Sequence, residues 1–187
     1  ANGIHCGIRK NKDKKDLAVI YSTKIANAAA IYTSNLVKGA PLHVTREHLE
    51  DGRAQAIICN SGNANTCNPD GYQIASDVCS ILASELSISK EDVVVASTGV
   101  IGQQLELAPF KLGIPELVEG LGGSSSSAAE AILTTDIKLK EAAVSFEIQG
   151  KKCRIGGIAK GSGINYGLCY QFSSAAKGIE GRWGRVF

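Results

Sequence analysis

The tightest constraint on the fold is the segment from residue 68 to residue 86. Asn68 can cap a helix, Pro69 stands where a missing N–H costs little, and Ile74, Val78, Ile81, Leu82 and Leu86 recur at helical spacing. A helix with one apolar stripe must bury that stripe against something. Short β-type runs flank it: Ala54-Gln55-Ala56-Ile57-Ile58-Cys59 before, and Val93-Val94-Val95-Ala96 after. Helix packed on sheet is the layer arrangement these segments dictate.

The remaining segments fill in that plan. Leu17-Ala18-Val19-Ile20-Tyr21 is a β-type run, and residues 28–33 are a second strand candidate. Pro41 opens a short helix through Leu49, which Asp51-Gly52 closes. Ser89, with Asp92 three residues on, suggests a short cap. Residues 109–121 read as one or two helical pieces broken around Gly113-Ile114-Pro115. Gly122-Gly123 and four serines form a flexible link, and residues 128–133 are helical, ending near Thr134-Thr135-Asp136. Val144, Phe146 and Ile148 alternate as in a half-buried strand, and Gln149-Gly150-Lys151 turns it back into a strand from Lys152. No internal repeat and no regular βαβ rhythm is present, so the expected class is α+β.

Composition bounds the function. With 187 residues the chain can bury one sizeable core or form part of a larger domain. Its net charge of +2 is too small to argue for nucleic acid, and no apolar run approaches the length of a membrane span. Lys10, Lys12, Lys14 and Lys15 cluster, but Asp13 and Asp16 are interleaved, so this run reads as a solvated turn. The six cysteines contain no C-x-x-C pair, and Cys59 and Cys79 lie in apolar patterns where a thiol behaves as a small hydrophobe. Reduced thiols and the lack of a visible signal peptide lead to an expected cytoplasmic location.

Small polar residues recur at strand-to-loop junctions. Asn60-Ser61-Gly62-Asn63-Ala64-Asn65 is a set of short side chains that favour turns and bond local backbone. Thr98-Gly99 offers a hydroxyl and a freely oriented N–H, the donors an oxyanion site requires, or else forms an ordinary turn. Arg154-Ile155-Gly156-Gly157-Ile158-Ala159-Lys160-Gly161-Ser162-Gly163 surrounds one lysine with glycines that let a ligand approach the main chain. Lys160 is either a carboxylate anchor or an exposed strand end, and Thr134 is either a ligand contact or a helix terminus. No G-x-G-x-x-G, Walker A, H-E-x-x-H or G-x-S-x-G pattern occurs, and no metal site is expected.

Taken together, Lys38-Gly39-Ala40-Pro41, the Asn60 to Asn65 stretch, Ala96-Ser97-Thr98-Gly99-Val100-Ile101-Gly102, Thr134-Thr135-Asp136 and Gly156 to Gly163 resemble the ornithine acetyltransferase family. These are the bifunctional glutamate N-acetyltransferases of arginine biosynthesis, and the likeness covers residues 3 to 164. It implies a layered α/β/β/α-type sandwich of which this chain holds the N-terminal, α-chain portion. It also implies a precursor that cuts itself before a threonine, giving an α and a β chain that stay together, as an αβ heterodimer assembling to a heterotetramer. The freed threonine attacks N2-acetylornithine with its own α-amine as general base, and glutamate then takes the acetyl group. By the same resemblance Thr98 and the Gly99 backbone form the oxyanion hole, Thr134 and Lys160 contact substrate, and the Asn60 to Asn65 loop is structural. No cofactor is bound, acetyl-CoA is a possible co-substrate, and neither nucleic acid nor membrane is a partner.

The likeness stops after Gly163. Where the family has its cut site, this chain reads Ile164-Asn165-Tyr166-Gly167-Leu168-Cys169-Tyr170-Gln171-Phe172-Ser173-Ser174, and spacing puts the nucleophile position near Gln171. Residues 165–187 are expected to be a divergent tail, from a frameshift, a fusion or a truncated product, or else a basic, aromatic binding segment. The chain is thus expected to be inactive without a β chain; the alternative is an inactive remnant or a module binding an N-acylated amino acid. A transferase built on Cys169 has no histidine nearby in sequence to support it.

Overall fold

In a computed structural model, which describes residues 1–161 and the backbone of residues 168–173, the chain forms two sheets and four helices. The order is β1 (Asn2–Ile4), β2 (Leu17–Asn27), α1 (Ala40–His48), β3 (Arg53–Asn63), α2 (Gly71–Leu86), a 3-10 turn (Lys90–Asp92), β4 (Val93–Val100), α3 (Ala108–Glu119), α4 (Ser125–Ala131), β5 (Glu141–Ile148), β6 (Lys151–Lys160) and β7 (Leu168–Ser173). The larger sheet has strand order β1-β2-β3-β4, and the smaller has order β5-β6-β7. Among the described residues only β3 and β4 run parallel, joined by α2 as a parallel pair requires. The expected α+β class holds.

The core follows from strand alternation. Leu17, Val19, Ala56, Ile58, Val93 and Val95 point to one face of the large sheet, where α1, α2 and α3 cover them. Val78, Cys79 and Leu82 of α2 and Phe110, Ile114 and Leu117 of α3 complete this cluster. The alternate residues, Ala18, Ile20, Cys59 and Ala96, face the other way and meet α4 and Ile158 of β6. Small residues on that face let α4 approach closely. β4 is the sheet's outer strand, and α1 covers its edge with side chains: the Thr45 hydroxyl donates to the Val95 carbonyl at 2.7 Å and accepts from the Val95 N–H at 3.1 Å. His48 Nδ1 lies 2.8 Å from the Val93 carbonyl, which can only accept, so this nitrogen carries the hydrogen.

Several expectations need correction. Residues 28–33 are not a strand; the chain leaves the sheet after Asn27, and Ile31 finds nothing to pack against. The helix α3 is unbroken, with Pro115 inside it, because burial of Phe110, Ile114 and Leu117 outweighs the lost N–H. Ser125 already begins α4, with the Ser124 hydroxyl accepting from the Ser126 N–H, so the serine link is shorter than expected. Asn68 does not cap α2, since its amide donates to Asn65 instead. Asp16 is not part of a solvated turn: fully buried, it accepts the N–H groups of Cys6 at 2.7 Å and Arg9 at 2.9 Å and ties down the lysine loop. The strand at Val144 is correct but not half-buried, because every residue of β5 is exposed. Cys59 and Cys79 are buried hydrophobes as expected, and burial pushes the Cys79 thiol up to about 12.

The Leu82 side chain is fully buried between α2 and the sheet. Leu82→Ala should therefore cost about 2–5 kcal/mol in urea unfolding. A loss well under 1 kcal/mol would show that the α2 stripe does not anchor the sheet.

Candidate functional site

The carboxyl ends of β3 and β4 carry the first pair of expected site residues. Thr98 and Gly99 lie inside β4 and not in a loop after it, in register with Ser61 and Gly62 of β3. The Asn60 to Asn65 stretch is likewise strand as far as Asn63, with a bulge at Gly62 and Asn63. Gly99 has φ 138°, and a Cβ there would come within 2.3 Å of the Gly62 carbonyl carbon. Only glycine fits this crossing of the two backbones.

Three asparagines and a serine hold the crossing together. Ser97 Oγ donates to Asn60 Oδ1 at 2.6 Å, and Asn60 Nδ2 donates to the Asn63 carbonyl at 2.9 Å. Asn63 Nδ2 donates to the Gln103 and Gln104 carbonyls, and its Oδ1 accepts the Asn65 N–H at 2.8 Å. Asn65 Nδ2 reaches the Gly71 carbonyl at 2.8 Å, linking the strand ends to the start of α2. Asn60, Asn63 and Asn65 are buried. Their amide nitrogens all donate to backbone carbonyls, so the expected structural role of this segment fits its geometry.

The second pair, Thr134 and Lys160, meets at Asp136, which the sequence reading named in a motif but gave no role. The Asp136 side chain is 0% exposed and accepts from Lys140 Nζ at 2.7 Å, the Gly161 N–H at 2.6 Å and the Thr134 N–H at 3.4 Å. Lys160 Nζ lies 3.7 Å from its other oxygen. Burial opposes the charge on Asp136. The Lys140 hydrogen bond, the Gly161 and Thr134 N–H groups and the Lys160 charge outweigh it and hold the carboxyl well below the usual carboxylate range. Two ammonium groups face one carboxylate, so the cluster keeps a spare positive charge on the Lys160 side. Contrary to the expectation from the sequence, Gly156 and Gly157 do not open the main chain to a ligand but are ladder positions opposite Ala143 and Ala142.

The end of α4 connects the two clusters. Ser61 Oγ, one residue from Gly62, donates to the Ala131 carbonyl, and an Arg9 guanidinium nitrogen donates to the Leu133 carbonyl. The Arg9 stem lies against Gly62, where a Cβ would come within 2.7 Å of its Cγ. Arg9 Nε is buried with no hydrogen-bond partner. Burial lowers the Arg9 pKa, with Asp16 opposing. Arg9 belongs to no motif, whereas Asp136 closes the Thr134-Thr135-Asp136 motif and stands four residues before Lys140, a signal that gave it no role by itself. Two shallow hollows, one beside Tyr32 and Arg46 and one beside His5 and Glu116, do not include Thr98, Gly99, Thr134 or Lys160. Ser162 and Gly163, the side chains of Cys169, Gln171 and Ser173, Ser174 and the tail lie outside the described residues.

Comparison with known proteins shows what the chain as a whole is similar to. The ArgJ family profile matches residues 1–166. The arginine biosynthesis bifunctional protein ArgJ of Caldanaerobacter subterraneus subsp. tengcongensis is 43% identical over 166 residues, which is 88% of this chain and 41% of that protein. The protein of the same name from Gloeobacter violaceus is 45% identical over 167 residues, 88% of this chain and 41% of that protein. The chain thus spans about two fifths of the length of these relatives. The crystal structure of ArgJ from Bacillus halodurans matches with a TM-score of 0.80 at 38% identity, covering 90% of this chain and 89% of that one. Ornithine acetyltransferase from Mycobacterium tuberculosis, solved in complex with ornithine, matches with a TM-score of 0.75 at 30% identity, covering 90% of this chain and 91% of that one.

Two variants test the geometry directly. Gly99→Ala should force the crossing apart and lower stability by about 1–3 kcal/mol, read as a lower melting temperature; an unchanged melt would reject the close approach. Because the folded pKa of Asp136 lies below its unfolded value, its ionised network stabilises the fold above pH about 4, and that contribution is lost as pH falls through the folded value. Asp136→Asn should be less stable than the parent at pH 7, with the gap narrowing below pH 4. A gap that does not change with pH would remove the charge network as its cause.

Proposed function

The chain belongs to the ArgJ family, and on that premise we propose that it is the α-chain part of a glutamate N-acetyltransferase of arginine biosynthesis. The reaction moves acetyl from N2-acetylornithine to glutamate. The observation that carries this reading to the site is the Asp136 cluster, where Lys140 neutralises the carboxylate at 2.7 Å and Lys160 stands off at 3.7 Å with charge to spare. One free positive charge suits one substrate carboxylate. Thr134 lies beside it through its N–H bond to Asp136.

In the proposed chemistry a threonine hydroxyl on a separate β chain attacks the acetyl carbonyl of N2-acetylornithine, while its α-amine takes the proton. Charge develops on the carbonyl oxygen, and the Thr98 hydroxyl and Gly99 N–H donate to it. Breaking the C–N bond returns the proton to the departing ornithine amine and leaves an acetyl ester on the threonine. The glutamate amine attacks that ester, and its proton goes back to the threonine oxygen. The threonine arises by self-cleavage of a precursor. Its two chains form an αβ heterodimer, assembling to a heterotetramer in the cytoplasm. No resident cofactor is needed, and acetyl-CoA can serve as a second acetyl donor. The contrast in coverage supports two chains: the solved relatives match over about nine tenths of their chains, the curated ones over two fifths.

The residues after Gly163 favour a second reading. Gln171 stands at the spacing expected for the nucleophile and cannot attack a carbonyl. A remnant or module that binds an N-acylated amino acid without turning it over fits that substitution. Residues 165–187 are the divergent tail in either case.

The purified 187-residue chain should transfer no acetyl from N2-acetylornithine to glutamate, and turnover by it would refute the assignment of the nucleophile to another chain. In a complex complemented with a β chain, Lys160→Ala should raise KM for the acetylated amino acid. Thr98→Ala should mainly lower kcat, by about 10²–10³. Wild-type kinetics in both variants would discard the site.

A further inference from the structure

Three apolar side chains of the small sheet, Val144, Phe146 and Ile148, stay exposed among the described residues, although Cys153, opposite Phe146 on β6, is buried. Val144, Phe146 and Ile148 are 59%, 38% and 39% exposed, and they alternate along β5 so that all three share a side. Ile155 stands opposite Val144 in the antiparallel register and extends the same surface. The other side of β5 carries Glu141, Ser145 and Glu147, opposite Ile158, Arg154 and Lys152. It is on this second, mainly polar side that Ile158 packs toward α4. β5 is also an outer strand, its far edge unpaired among the described residues. An alternating strand with its apolar side in water and a free edge is a strand whose partner is elsewhere.

The lengths indicate which partner. Relatives continue well past the segment matched here, of which the chain spans 41% in the Caldanaerobacter protein. The family match ends at residue 166, six residues after β6 ends at Lys160, so the small sheet stands where the rest of the family's sequence would follow. We infer that the Val144–Phe146–Ile148–Ile155 face is the docking surface for the polypeptide that makes up the remainder of the ArgJ sequence. That polypeptide presents a complementary apolar helix stripe or strand to it. The inference rests on the two-chain reading above and adds where the chains meet. It also accounts for β5, whose alternation serves a core that this chain does not complete by itself.

The test is co-expression of this chain, affinity-tagged, with the segment of the Caldanaerobacter relative that follows the matched region, read by co-purification and native mass spectrometry. The parent should retain the segment, and Phe146→Asp and Val144→Lys should each weaken binding about tenfold or more. Ser145→Lys, on the polar side, should leave it unchanged. Melting curves of the uncomplexed variants check that all three fold. Equal binding by the parent and both apolar-face variants would overturn the face while leaving the two-chain reading intact. Failure of the parent itself to bind would overturn both. A dimer of this chain alone that Phe146→Asp dissociates would assign the face to a second copy and overturn the inference.

Discussion

Parallel pairing of β3 with β4 requires a crossover, and α2 supplies it, so the apolar stripe of that helix and the alternation of the two strands have to be satisfied together. The same pairing sets the position of everything at the strand ends. Ser61 comes level with Thr98 and Gly62 with Gly99, and the backbones touch closely enough that neither face of the crossing can accept a side chain at Gly99. The outer edge of β4 is closed by Thr45 and His48 of α1, which bond the carbonyls that no strand reaches. The asparagines then convert a strained end into a stitched one, because each amide can donate and accept at once along a buried backbone.

Buried carboxylates do the second part of the work. Asp16 organises the loop that delivers Arg9 to the Leu133 carbonyl, and Asp136 gathers Thr134, Lys140, Lys160 and Gly161 around one side chain. Removing an ionised carboxylate from water is costly; Asp16 offsets that cost with backbone N–H donors, and Asp136 with N–H donors and two lysine ammonium groups. The consequence is a rigid mount for Lys160 and a local excess of positive charge. The end of α4 ties this cluster to the strand crossing, through Ser61 bonding the Ala131 carbonyl and Arg9 bonding the Leu133 carbonyl.

Elements with strong local patterns were legible in the sequence: α1, α2, the strands through Ala18, Ile58 and Val94, and the hairpin at Gln149 and Gly150. Motif likeness is also what singles out Thr98, Gly99, Thr134 and Lys160 as proposed site residues. The errors share a cause. Pro115 suggested a break because propensity counts only the local chain, whereas Ile114 and Leu117 are held by the sheet. Asp16 read as solvent-facing among lysines because burial depends on which backbone N–H groups fold over it. Asp136 went unassigned because its partners are four and twenty-five residues away in sequence.

The sequence by itself determined the periodicities, hence which residues could share a face, and the small-residue positions where backbones could meet. Periodicity is a local property, fixed by the geometry of the helix and the strand. Tertiary structure alone decided which faces are covered, and therefore that α3 runs through its proline, that Asp136 organises the Lys160 cluster, and that the apolar side of β5 is left exposed among the described residues. Burial and ion pairing depend on contacts between segments far apart in the chain, which no local pattern encodes.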